Sequence, residues 1–399
     1  MRHNVVALFV AVVGLGLVGI GRADSFDPSK PHAWISVVHG SIVRSVYDSN
    51  DIGVGVEWSP SGDEFAFSPS LENGNHAVFV ADDYGGDLHQ VWTGTDAVSA
   101  TFSPDGTRLM LDGGVGLSFV DADGTFPSHV RMNDTGVAYW LDDTHVVVVQ
   151  RKTQHDSLVV VDSRTGTATR LPANLGWLND VAVENGRLYA QAWYHDTEGV
   201  FAVDARGTIR KILANDVTSP LIAVSGDGRR IAVAGVLQPA RGPSTAGVWV
   251  GTPGGRPRLV MHLSSGDVQA LSWSTDGRKL LVQEGEQDGS PTRLTFSLVT
   301  WPASVRRYAL AGKFDVLQDG VLASDGSAAY FSASAPSGPL AAWRLDLTTG
   351  HLASLSDASA LTAAGEQDSE VVPSPTDPGT LVRVQDYDPF TFAPTGGTG

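Results

Sequence analysis

The chain has 399 residues, a formal charge of −17 and no cysteine. The missing thiol excludes disulfides, cysteine metal sites, cysteine nucleophiles and a lipobox. The negative charge argues against nucleic acid, whose binders need a basic footprint. It leaves cations, basic polypeptides and neutral ligands, and a chain of this length can bury a large core.

Arg2 and His3 precede an uncharged apolar run from Val5 to Gly21, and Gly21-Arg22-Ala23 reads as a small-x-Ala cleavage site. This predicts a signal peptide over residues 1–23, and with it export to the periplasm, cell surface or medium. The run is near the lower limit for a membrane span, so the alternative is an uncleaved anchor over residues 5–21. No later stretch suits a span. Residues 24–31 read as a polar linker.

Ala33 to Val38 is then a strand, His39-Gly40 a turn, and Ile42 to Tyr47 a second strand. From about residue 50 a phrase recurs. Trp58-Ser-Pro-Ser-Gly, Phe102-Ser-Pro-Asp-Gly and Trp273-Ser-Thr-Asp-Gly each follow one short strand and precede another. Pro presets φ, Asp caps its own backbone and Gly accepts a positive φ, so each phrase predicts a tight turn. Weaker copies start near Trp140, Val183, Val224 and Ala323, so the anchors are spaced 38 to 50 residues apart. A strand-rich period of that length marks β-propeller blades. Seven complete blades follow, at 56–93, 99–132, 137–172, 181–214, 221–263, 270–311 and 320–356. Two lengthened loops, 238–245 and 284–291, fall at equivalent points. No stretch carries a convincing helical period, and Ser354 to Ala364 is at most one short helix.

These residues resemble the TolB-type (WD40-like) propeller repeat over roughly residues 50–385. The resemblance implies an all-β propeller of four-stranded blades and leaves the activity open. TolB itself carries a further α/β domain and prolyl-peptidase-like enzymes an added hydrolase domain. Residues 24–55 are too few for the first, and no residues remain for the second.

The terminal strands supply an eighth blade. The pair at 33–47 matches the second half of a blade. Val371 to Gly379 resembles the turn phrase, and Leu381-Val-Arg-Val384 returns from it. Joining the two closes the ring without open edges. The alternative is seven blades with the terminal strands packed outside. A single propeller domain is thus expected over 32–385, with a tail over 386–399.

Enzyme signatures are missing: there is no Gly-x-Ser-x-Gly, no His-Glu-x-x-His and no Gly-x-x-x-x-Gly-Lys-[Ser/Thr] phosphate loop. The histidines are scattered without metal-ligand spacing. Asp121-Ala-Asp-Gly124 reads as a turn, because it lacks the further carboxylates of a calcium loop. Trp58, Trp140 and Trp273 hold the anchor and are expected between blades. Trp177, in a loop leading into a blade, is an aromatic contact candidate. One pattern concerns binding. The segment leading into each blade holds an acidic residue: Asp51, Asp96, Asp134, Asp180, Asp216, Asp267, Asp319 (or Asp315) and Asp368. These eight segments converge on one mouth of the channel, where they form a candidate acidic ring. Bridging neighbouring blades is the structural alternative, and the TolB-type repeat often has Asp there.

The function expected from these features is an exported, non-catalytic binding or scaffolding module of the cell envelope, with a protein partner and a single copy of the chain. The alternative is a propeller enzyme of lyase, lactonase or phosphatase type with a divalent cation, such as calcium, at the channel mouth. No cofactor is otherwise expected.

Overall fold

A computed structural model describes residues 32–387, apart from short loop stretches of which 151–155, 286–294 and 356–365 are the longest. The expected segments 1–23 and 24–31 lie outside the described residues, as does the tail beyond Tyr387.

Eight antiparallel sheets form the ring, and no helix occurs among the described residues. Seven of these sheets run in chain order from the channel outward. In the first blade the order is Ile52–Trp58, Glu64–Ser70, His76–Asp82 and His89–Gly94. The middle strands are apolar on both faces because each blade is packed between two others. His145–Gln150 and Ser157–Asp162, for example, bury Val146 to Val149 and Leu158 to Val161. The seventh blade departs slightly. Its inner strand is two short pieces, Val316–Leu317 and Val321–Leu322, which both pair with Ala328–Ser334.

The composite blade forms as the terminal sequences predict. Glu366–Pro373 is innermost, Thr380–Tyr387 second, His32–His39 third and Ile42–Ser49 outermost. His32 stands opposite Tyr387 and His39 opposite Thr380. Ala33, Ile35, Val37, Val382 and Val384 are buried with Trp58, Phe65 and Phe67 of the first blade. Burial of that size drives ring closure, at about 25 cal/mol per Å² of apolar surface.

The turns define two faces. The turn after each inner strand carries the repeat phrase, with Gly62, Gly106, Gly277 and Gly326 at positive φ. The turn between the third and outer strands meets it. Asp83, Ala122, Ser163, Trp301 and Leu347 each donate a backbone N–H to the phrase turn of their own blade, at Asp63, Thr107, Thr144, Arg278 and Ser327. Both sets of turns therefore share one face, called the turn face below. The lead-in segments and the remaining loops share the other.

Candidate active site in the channel

The anchor tryptophans do more than fill space. The indole N–H of Trp58 donates to the carbonyl of Val372 at 2.9 Å, that of Trp140 to Thr101 at 3.0 Å, and that of Trp273 to Ala223 at 3.2 Å. Each accepting residue precedes the anchor of the preceding blade. Side chains at that preceding position bond the other way. Glu57 Oε1 accepts from the Phe102 N–H at 3.3 Å, and Ser272 Oγ from the Leu322 N–H at 3.0 Å. The inner strands of neighbouring blades are too far apart for a sheet ladder, so side chains satisfy their channel-facing backbone groups.

The ends of these strands enclose a cavity of about 1090 Å³, lined from seven of the eight blades. Apolar walls come from Phe102, Trp140, Val224 and Leu271. The described lining also holds four carboxylates, Glu57, Asp142, Asp143 and Glu184, and no Lys, Arg or His. An anionic ligand would find no side-chain cation in that described lining.

Glu57 is the chemically distinctive group. Burial pushes its carboxyl up from 4.5 to about 7, against the opposing pull of the Phe102 N–H. Glu370, on the inner strand of the composite blade, is also pushed up to about 7. Burial is the main cause, with Asp386 adding repulsion and the Val56 N–H opposing. Asp142 differs. Burial raises it, but the N–H groups of Thr144 and His145 and the ring and hydroxyl beside them outweigh that and hold it below 3.8. It is a turn cap, with Oδ1 at 2.9 Å from the Thr144 nitrogen.

Of the predicted acidic ring, few members fall among the described residues. Asp96 is exposed in a bend, and no cation-holding group forms around it among the described residues. Asp180, Asp216 and Asp368 lie within inner strands, Asp368 opposite Gln385, but their side chains are outside the description. Asp51, Asp134, Asp267, Asp319, Asp315 and Trp177 fall outside the described residues. Of the other turn candidates, Asp121 accepts no metal-type cluster and instead pairs with Arg108 Nε at 2.9 Å. Sequence reasoning passed over Glu57. Its signal was a carboxylate directly before a buried aromatic anchor, where Thr101, Tyr139, Ala223 and Ser272 stand in other blades.

Solved structures have a similar fold. An oligogalacturonate lyase in complex with manganese is 15% identical, over 71% of this chain and 91% of that one, with a TM-score of 0.50. The dihydro-heme d1 dehydrogenase NirN in complex with DHE is 14% identical over 82% and 73%, with a TM-score of 0.53. A prolyl endopeptidase is 12% identical over 81% and 52%, with a TM-score of 0.55; the chain spans about half of it. No family model matches, and no curated protein is similar in sequence. At these identities the likeness establishes the fold alone.

The comparison corrects one expectation. A non-catalytic binding or scaffolding module was inferred from the propeller and the missing motifs, but the similar propellers belong mostly to enzymes: a lyase, a dehydrogenase and peptidases. The physical reason is that a channel gathers side chains from several blades around one enclosed space. Sequence-local motifs do not register such a site.

Proposed function

We propose that the chain is a propeller enzyme performing general acid–base chemistry on a neutral substrate in the central cavity, with hydrolysis of the lactone type as the reaction. The observation that carries this is Glu57. It is a half-buried carboxyl titrating at about 7, held by the Phe102 N–H on a cavity wall without basic side chains. A group with that pKa is half ionised at neutral pH, which suits proton transfer in either direction. Its carboxylate removes a proton from water as the oxygen adds to the ester carbonyl; the tetrahedral adduct then breaks its acyl C–O bond, and the protonated Glu57 returns the proton to the departing alkoxide. Phosphatase action is disfavoured, because an anionic phosphate would meet only carboxylates.

A divalent cation was part of this alternative. Among the described residues no three His, Asp or Glu side chains gather as a ligand set, so no step is routed through a metal. The turn phrase favours a TolB-type repeat as the finer description of the fold. Export accompanies the proposal, supported by the apolar run from Val5 to Gly21.

The test is turnover of a panel of neutral lactones and esters by the purified chain. Activity is expected to rise with pH to a plateau, with its midpoint near 7. Glu57→Gln keeps an acceptor for the Phe102 N–H and should lower kcat by about 10²-fold or more. No turnover on the panel, or full activity in Glu57→Gln, would overturn the reading.

A further inference from the structure

Three large exposed apolar side chains fall at the third-to-outer turns of three consecutive blades. Ile42, Tyr84 and Phe126 are 65%, 56% and 77% exposed. Each lies in or beside the turn between third and outer strands, in the composite, first and second blades respectively. All three are therefore on the turn face, at its outer edge. Ile42 pairs with His39, whose ring stacks on Tyr84 at 4.7 Å, so two of them form one patch.

Phe126 is conspicuous for its backbone as well, with φ at 49°. The same slot in the first blade holds Asp87, φ 46°. Aspartate adopts this left-handed region readily, whereas a bulky residue there is an outlier. The Phe126 carbonyl accepts from Arg108 Nη2 at 3.2 Å, which explains the turn and not the aromatic side chain. The ring itself is 77% exposed, so burial of the side chain does not offset that strain.

The turn face is also divided by charge. Between Arg44 and Arg108 the sequence has eleven Asp or Glu and no Lys or Arg. Exposed Asp63, Asp87, Asp105, Asp123 and Asp377 line the turns of the composite, first and second blades, and Arg108 is buried against Asp121. The fourth to sixth blades, residues 179–309, carry fourteen Lys or Arg against twelve Asp or Glu. Their turns expose Arg187, Arg206, Arg229 and Arg278 on this same face, with Arg230 and Lys279 beside them, so these cations outnumber the turn carboxylates Asp204, Asp227 and Asp276.

We infer that this face joins a second copy of the chain, the acidic and apolar sector of each copy meeting the basic sector of the other. Eight blades make this geometrically consistent. The first blade stands opposite the fifth. A two-fold axis lying in the face and passing over the third and seventh blades carries the first blade onto the fifth, the second onto the fourth and the composite onto the sixth. Both copies then satisfy both sectors at once, which is a closed, isologous contact. Guanidinium groups of the basic sector lie over the rings of Tyr84 and Phe126, where cation–π attraction adds to the charge pairing. The association replaces the single copy expected from sequence. It roofs each cavity on the turn face and leaves the opposite mouth open, and it does not depend on the catalytic reading.

Sedimentation velocity of the full chain tests it. Twice the chain mass is expected at low salt, falling to one chain mass as salt is raised and the charges are screened. Phe126→Asn removes the ring and suits the left-handed slot, so the dimer Kd should rise at least tenfold while Tm at high salt is unchanged or higher. Arg229→Glu should weaken the dimer to a similar extent. A single-chain mass at low salt, a dimer indifferent to both variants, or assembly beyond two chains would each overturn the proposal.

Discussion

The indole of Trp58 and the carbonyl of Val372 lie 2.9 Å apart across the seam of the ring, although 314 positions separate them in the chain. The same bond joins Trp140 to Thr101 inside the ring, where no chain ends meet. Replacing the donor leaves a carbonyl unsatisfied and removes one hydrogen bond, a cost of about 1–3 kcal/mol. Trp58→Phe and Trp140→Phe are expected to lose similar stability in urea denaturation. A much larger loss for Trp58→Phe would mean that the seam is the weakest junction of the ring.

Removing residues 366–399 deletes the two inner strands of the composite blade. His32–His39 then loses its pairing with Thr380–Tyr387, and the first blade loses the cover over Trp58 and Phe65. The expected outcome is a Tm drop large enough to be seen as loss of cooperative unfolding. A truncated chain that melts like the parent would contradict the role assigned to this blade.

Glu57 and Glu370 give stability an unusual pH dependence. Both are pushed up from 4.5 to about 7 in the folded chain, chiefly by burial. A raised carboxyl contributes stability fully below its unfolded value. That contribution is lost as pH rises from about 4.5 through 7, by on the order of a few kcal/mol for the pair. The turn caps act oppositely. Asp162, held below 3.8 by the Thr165 and Arg164 N–H groups, loses its contribution as pH falls through its folded value. Stability measured by urea should therefore be greater at pH 5 than at pH 8. The double variant Glu57→Gln, Glu370→Gln should flatten that difference, and an unchanged slope would contradict the assignment.

Asp162 Oδ1 accepts from the N–H groups of Arg164 at 2.9 Å and Thr165 at 2.8 Å. Asp162→Ala removes the one oxygen that accepts both bonds and should cost about 1 kcal/mol, while Asp162→Asn, which keeps an oxygen, should cost less. Thermal melts of the two variants give the comparison. Equal losses would show that charge, rather than the acceptor, holds the turn.

The architecture was legible because the turn phrase is local. Ser103 to Gly106 carries its own bonding instructions, with Asp105 accepting from Ser103 Oγ and the Thr107 N–H. Repeated at blade spacing, it counts the blades. The composite blade could be read for the same reason, from a half-blade at each end. Glu57 could not be. Its pKa depends on burial and on the Phe102 N–H, 45 residues away, and the cavity it faces is lined from five further blades. The indole bonds were equally hidden, since the sequence assigns Trp58 to packing without naming the carbonyl it reaches. Asp87 and Phe126 show the limit from another side. Two dissimilar residues occupy one turn slot, and only the backbone angle reveals that they are equivalent.

The pairing of His32 with Tyr387 has a mechanical consequence. Both residues sit at the same end of an antiparallel pair, on the face away from the cavity mouth. Force applied by drawing the two chain ends apart loads one hydrogen bond of that pair at a time, like opening a zipper. The closed ring would therefore yield to tension at its ends, starting at the one place where two halves of the sequence are joined without a peptide bond.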